Sequence, residues 1–419
     1  MKIKLNLSLK LLFIFYLCFP VSAQDDELKA LREAAENEAI QETANESDKL
    51  EEMSFKSGGL CLQALNPEIS VTGDLIGTYY FGDAYENDHY DWNFRGLGLH
   101  FETYLDPYSK FKAAVPVSSE GAELGEAYFT RYGILGGGNL TLGKFRQQFG
   151  VINRWHKHGL DFFDFPLPIR MIFGPGGLNQ TGISIDWLNS FSSTSQEITL
   201  QITDGENGMI HSGNSKKRPD FLLHYKNYRD LTSSTYLELG ITGLMAWNDE
   251  WNILRDSVPL TINESFSTKV YGLDFTILWE PTDRMRYRNF EIRTELYLCQ
   301  KDIQAYDGSG ADSINALGWY ISLNTKISRT VDIGMHIDYY KPDNKPYAEL
   351  EGYPYYPHAV SADDANRLLT AVYLTWFQSP FVKFRLEYDH EEGSGMGETE
   401  NRFMFQTVFA AGPHKHERY

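Results

Sequence analysis

His156 and His158 stand two residues apart, and Asp161 and Asp164 follow at once. Imidazole and carboxylate are ordinary zinc ligands, so this group admits a metal centre. The same side chains, flanked by Arg146, Arg154, Lys157 and Arg170, also suit the lining of a narrow polar passage or the bracing of a loop. Ligand sets at such short spacing arise cheaply in loops, and the adopted reading is a polar constriction with no metal. His414 and His416, near the C-terminus, read as a solvated pair. For catalysis there is less: no G-x-S-x-G elbow, no P-loop, no dinucleotide fingerprint and no zinc-type cysteine pairs. Asp88–His89 and Asp389–His390 are acid–histidine neighbours on expected loop ends and read as surface polar residues. The expectation is a protein that is not an enzyme and needs no cofactor.

These residues fall in one long connection inside a chain that otherwise repeats every two residues. Sixteen segments alternate apolar and polar side chains between clusters of Gly, Asn, Asp and Pro, the pattern of antiparallel strands. They cover 67–82, 94–105, 110–118, 125–134, 138–149, 181–190, 196–204, 219–228, 234–247, 269–280, 288–302, 315–328, 331–341, 365–378, 381–391 and 401–411. Short connections alternate with longer ones, seven against eight, and the longest is the 31-residue stretch at 150–180. Short turns at one end, long loops at the other and an even strand number are expected of an outer-membrane barrel. A soluble sandwich has no reason to sort its loops in this way.

Strand faces support the same architecture. In 269–280, Tyr271, Leu273, Phe275, Ile277 and Trp279 oppose Gly272, Asp274 and Thr276; in 315–328, Leu317, Trp319 and Ile321 oppose Gly318, Tyr320 and Ser322. Sixteen strands close a lumen too wide for side chains to fill, which predicts a wet polar interior and an apolar exterior in lipid. Tyr79, Phe81, Tyr104, Trp187, Trp247, Trp279 and Trp376 lie near strand ends, as interfacial girdles do. The fold class is therefore an all-β, transmembrane antiparallel β-barrel.

The N-terminus has Lys2, Lys4 and Lys10 before an apolar run that Pro20 interrupts, then Val21-Ser22-Ala23. That is a secretory signal cut after Ala23, its apolar run too short to span about 30 Å of bilayer. Residues 24–65 are rich in Glu, Ala and Lys and read as a periplasmic helix or a disordered tether, leaving 66–419 for the barrel. Loss of three lysines takes the formal charge from −19 to −22, which disfavours nucleic acid as a partner. Cys61 and Cys299 remain, far apart and no disulfide framework.

Gly143-Lys144-Phe145-Arg146, Phe149-Gly150, His158, Asp161-Phe162, Pro166, Phe173-Gly174, Gly177-Leu178-Asn179 and Thr181-Gly182 together resemble the central segment of the phosphate-selective porin O and P superfamily. The closing residues 405–419 resemble that group's last strand and tail. The resemblance implies sixteen strands, a trimer, and a long third loop folded into the lumen to narrow it. Such a barrel meets outer-membrane lipid and lipopolysaccharide and passes small hydrophilic solutes. Phosphate-specific members carry arginines leading to a lysine cluster, whereas the inward charges expected here are mixed, twelve acids against eight bases.

The expected constriction is thus Arg146, Arg154, His156, His158, Asp161, Asp164 and Arg170. The expected pore wall includes Lys226, Arg293, Lys326, Lys383, Arg385, Asp274, Asp332 and Asp338. Rings of charge set the sign of a permeant ion, so the mixture predicts weak cation preference or little preference. Two other readings stand beside a passive pore: an energised receptor, which needs a larger barrel with a folded plug, and a soluble secreted β-protein binding carbohydrate or peptide.

Overall fold

The computed structural model describes residues 68–412 apart from 135, 192–193, 212–217, 249–250, 256–257, 263–264, 305–310, 344–365 and 394–398. The expected signal segment, residues 24–65, Cys61 and the tail histidines lie outside the described residues.

The period-two segments form sixteen long strands: β1 Glu68–Phe81, β2 His89–Asp106, β3 Ser109–Ser118, β4 Glu126–Ile134, β5 Gly138–Arg146, β6 Asn179–Phe191, β7 Thr194–Thr203 and β8 Asp220–Thr232. They continue with β9 Thr235–Asn248, β10 Phe266–Trp279, β11 Asn289–Gln304, β12 Ala311–Lys326, β13 Val331–Pro342, β14 Arg367–Ser379, β15 Val382–Gly393 and β16 Glu400–Ala411. Each pairs antiparallel with its sequence neighbours, and β1 pairs with both β2 and β16, so the sheet closes and leaves no edge. Gln406 on β16 donates to Asp74 on β1 at 2.9 Å across this closure. Gly121–Ala122 adds a short pairing beyond β3, and Trp251–Arg255 pairs with Val258–Ile262 as a hairpin within the loop after β9.

Alternation assigns the faces. On β10, Tyr271 and Leu273 are 52% and 51% exposed while Asp274 between them and Thr276 is 4% exposed. Outward apolar side chains of this kind have water as a poor solvent and hydrocarbon as a good one, which is the physical content of a membrane-spanning wall. Tyr104 departs from its expected place: it faces the lumen, under Lys110, whose Nζ stands 5.7 Å from the ring centroid.

The lumen is not uniformly wet. The segment between β5 and β6 enters it, with 3-10 turns at Ile152–Arg154 and Lys157–Gly159 and a helix α1, Leu167–Phe173. Pro168 falls in the first turn of α1, where a missing N–H costs nothing, and Gly174, at φ +87°, ends it. All but Arg170 of α1 is buried. The expectation of a wholly hydrated interior is corrected here: Phe149, Ile152, Leu160, Phe162, Phe165, Leu167, Ile169 and Ile172 form one apolar core with inward Tyr297, Tyr320, Tyr340 and Tyr373 of the wall. A 31-residue loop rich in Phe, Pro and Gly has apolar surface to bury, and the wall opposite it supplies tyrosines and small residues. Gly318 on β12 leaves the space that Pro168 fills; a Cβ there would lie 2.7 Å from the proline.

Candidate functional site: a loop-lined passage

The neck of the loop is tied by one side chain. Asn153 donates to the carbonyls of Gln147 and Leu178, at 2.8 and 2.9 Å, and accepts the Leu178 N–H at 2.7 Å. Arg146, the last residue of β5, donates to the carbonyls of Asn153 and Gly176 at 3.2 and 3.0 Å.

Beyond the neck the barrel wall holds the loop by its backbone. Glu295 accepts the N–H groups of Val151 and Ile152, both at 3.1 Å, and the hydroxyls of Tyr297 and Tyr320, both at 2.6 Å. Asp338 accepts the Leu167 N–H at 2.8 Å, and Glu387 accepts that of Phe163 at 2.9 Å. In the other direction, Lys383 donates to the His158 carbonyl and Arg385 to that of Leu160, both at 2.6 Å. A buried backbone group without a partner is expensive, so a non-repetitive loop inside a barrel needs wall charges at these places.

The loop therefore divides the lumen. Among the described residues, two open cavities lie beside β1–β7. The larger, about 590 Å³, is lined by Glu68, Glu102, Lys110, Lys112, Tyr128 and Asp186 among others, and the smaller, about 220 Å³, by Asp74, Arg95, Pro116, Lys157 and Asn179 among others. Both are lined by His100, Glu126, Arg146, His156 and His158, which places these five at the junction. Glu126 on β4 joins loop to wall: Oε1 accepts the Arg146 N–H, and Oε2 lies 3.0 Å from His156 Nε2.

Of the expected constriction residues, Arg146, Arg154, His156 and His158 line these cavities. Arg154 donates to Gln148 at 2.7 Å. Asp161, Asp164 and Arg170 are not among the residues lining either one. Asp161 lies 3.8 Å from Arg293, and Asp164 pairs with Lys157 at 2.7 Å. Burial alone would push the Asp164 carboxyl up, but Lys157, Arg170 and Arg95 override it and hold the group below its ordinary 3.8. Burial pushes the Lys157 ammonium below 10.5 against the pull of Asp164.

The expected wall residues sit mostly beneath the loop. Lys226 lies between Glu238 and Asp274, at 2.6 and 3.5 Å, and Arg293 pairs with Glu291 under the ring of Trp155. Asp332, Lys383, Arg385 and Asp161 surround a void of about 40 Å³. Lys326 is half-buried at the end of β12 and lines neither cavity. Sequence reading did not single out His100 and Glu126 as junction residues. The available signal was parity: both lie on the inward face, as Glu102 and Tyr128 do.

No family model matches the chain. A curated relative, an uncharacterized protein of Aquifex aeolicus, is 32% identical over 112 residues, 27% of this chain and 23% of that protein, so the likeness spans under a quarter of the relative. Among solved structures, an anion-selective porin from Comamonas acidovorans superposes with a TM-score of 0.54 at 11% identity, over 83% of this chain and 99% of the porin. The outer membrane channel DcaP of Acinetobacter baumannii gives 0.53 at 11% identity over 83% and 98%. OmpT, an outer membrane protein of Vibrio cholerae in its trimer form, gives 0.51 at 10% identity over 83% and 100%. At such identities the likeness is one of fold: the closed sixteen-stranded barrel of this chain is similar in fold to these outer-membrane proteins.

Proposed function

We propose that the chain is an outer-membrane porin, through which small hydrophilic solutes and ions diffuse passively, and that it performs no reaction. The observation that carries this reading is the pair of charged cavities left open beside an inward-folded loop and lined in common by His100, Glu126, Arg146, His156 and His158. Passage is then set by the width and charge of that junction. Arg154, Lys110 and Lys112 act as wall charges of the larger cavity, while Arg293, Lys383, Arg385 and Asp338 act as supports of the loop.

The finer assignments belong to the same reading. The chain is a relative of the phosphate-selective porin O and P superfamily without its phosphate specificity, exported by a cleaved signal and assembled as a trimer. Support for the first part is the motif at 143–182 together with a cavity lining in which acids equal bases. Purified full-length protein is expected to give ohmic current steps in planar lipid bilayers and to sediment with outer membranes. Absence of steps from protein that shows the heat-modifiable gel mobility of a folded barrel would sink the proposal.

A further inference from the structure

Three imidazoles gather where the two cavities join. His156 and His158 have ring centroids 5.5 Å apart and nearly parallel planes, and His100 of β2 stands edge-on to both, at 5.2 and 5.5 Å. They come from two elements, a strand of the wall and the 3-10 turn Lys157–Gly159 with the residue before it. Behind them, Glu126 takes the Nε2 side of His156 at 3.0 Å. A carboxylate in that place fixes the ring and leaves Nδ1 as the free lone pair, the arrangement that supports imidazole as a metal ligand.

Of the nearby cations, Lys157 and Arg95 are paired with carboxylates, whereas Arg146 and Arg154 bond only neutral oxygens and keep a charge that weakens the hold on a cation. Among the described residues, a different group has ligand atoms already within 4.8 Å of one another, namely His336, Glu387 and Asp389. That group is occupied with structure: His336 with Asp338, Glu387 with the Phe163 N–H and Asp389 with Arg402. The junction histidines stand wider, so a cation must draw their rings inward to be held.

We propose that His100, His156 and His158, with Glu126 behind His156, form a transit site for late first-row divalent cations of the Zn²⁺, Ni²⁺ and Cu²⁺ class. Imidazole selects these ions over Mg²⁺ and Ca²⁺, which require oxygen ligands. A site that closes only on its ion holds it weakly, as conduction needs binding that also lets go. The transit part rests on the porin reading; the binding part does not.

The test uses full-length protein folded in detergent, carrying His414→Ala and His416→Ala so that the tail contributes no imidazole. Cu²⁺ bound to it should give an electron paramagnetic resonance spectrum with hyperfine structure from three nitrogens. H100Q/H156Q/H158Q should lose that structure and weaken Zn²⁺ binding by at least about tenfold in calorimetry. If gel mobility shows the triple variant misfolded, H158Q alone should remove one nitrogen from the spectrum. Unchanged Zn²⁺ affinity in a folded triple variant, or oxygen-only ligation in the starting protein, overturns the site. In bilayers, Zn²⁺ should reduce a current that Mg²⁺ leaves alone. Binding without such block overturns transit, and loss of the metal-free current counts against the pore instead.

Discussion

Glu295 on β11 accepts the backbone N–H of Ile152 at 3.1 Å, across 143 residues of chain. The same carboxylate receives Val151, Tyr297 and Tyr320, so one side chain gathers four donors at the point where the loop enters the lumen. Glu295→Ala would orphan all four, at about 2–4 kcal/mol by the usual cost of breaking a buried charged network. The expected result is a loop that leaves its seat: larger single-channel conductance and tryptic cleavage near Lys157 and Arg170. Glu295→Gln keeps one acceptor oxygen and should show the smaller change. Wild-type conductance in the alanine variant would remove Glu295 from the seat.

Gly150 offers an independent check on that seat. Its φ is +60°, and a Cβ there would lie 1.8 Å from Glu295 Oε2. Gly150→Ala therefore strains the backbone and collides with the anchor, and it should raise conductance in the same direction as Glu295→Ala. Combined, the two should cost less than their sum, because removing the carboxylate removes the collision. Strict additivity in melting of the barrel would show that the two do not share a contact.

The apolar side of the seat is read by Phe149. Its ring stacks on Tyr297 at 5.5 Å and meets Phe173 edge-on at 4.9 Å, and Gly272 leaves the space it occupies. Phe149→Ala should cost about 3–5 kcal/mol of loop packing. The barrel itself, held by its closed ladder, should keep its heat-modifiable mobility. Open-channel noise is the sensitive measurement: a quiet channel in this variant would mean that the loop core does not keep the loop in place.

How much of this was visible beforehand follows from which interactions are local. Strand limits agree with the period-two segments to within a few residues, because lipid on one face imposes alternation wherever the wall is, as at Tyr271 and Leu273. The main departures are a β2 that starts at His89 and a hairpin, Trp251–Arg255 with Val258–Ile262, in what reads as loop. The infolded loop was legible in its length and its Phe and Pro content. Parity reports that Arg293, Asp338 and Lys383 point inward but not whether water or the loop lies opposite them. That depends on the path of residues 147–178, many of whose contacts are made with residues distant in sequence, such as Glu295 and Glu387. His100 was missed for the same reason: its partners His156 and His158 reach it only once the loop has folded in.

The Lys157–Asp164 pair makes the seat pH-dependent, and both members act in one direction. Asp164 is held below 3.8, so it adds stability above that value, which is lost as pH falls through the folded value. Lys157 is pushed below 10.5, so just below that pH the unfolded chain binds more protons and the seat tightens as pH rises. Acid should release the loop and base should hold it. Conductance measured from pH 7 downward is expected to rise once pH passes below 3.8, and Asp164→Asn should lack that step. An identical acid profile in the variant would exclude the pair as its cause.

Ion preference is the property on which wall and junction diverge most. Counting every inward charge gave an acidic excess, yet Asp274, Asp332 and Asp338 lie among the buried groups beneath or beside the loop rather than along the larger cavity. What lines that cavity is Glu68, Glu102, Glu126 and Asp186 against Lys110, Lys112, Arg146 and Arg154. Four of each sign, with Lys110 paired to Glu102 at 2.5 Å, predict a reversal potential near zero in asymmetric KCl at pH 8. Removing one sign should then show directly. Arg154→Ala is expected to favour cations and Glu102→Gln anions, each by about two- to threefold in permeability ratio, the scale of one partly screened charge in an aqueous lumen. Lys326→Ala, which lies outside the cavity lining, should move the ratio far less. If Lys326 matters as much as Arg154, current passes along the wall at β12, and the open path beside β1–β7 is not the route.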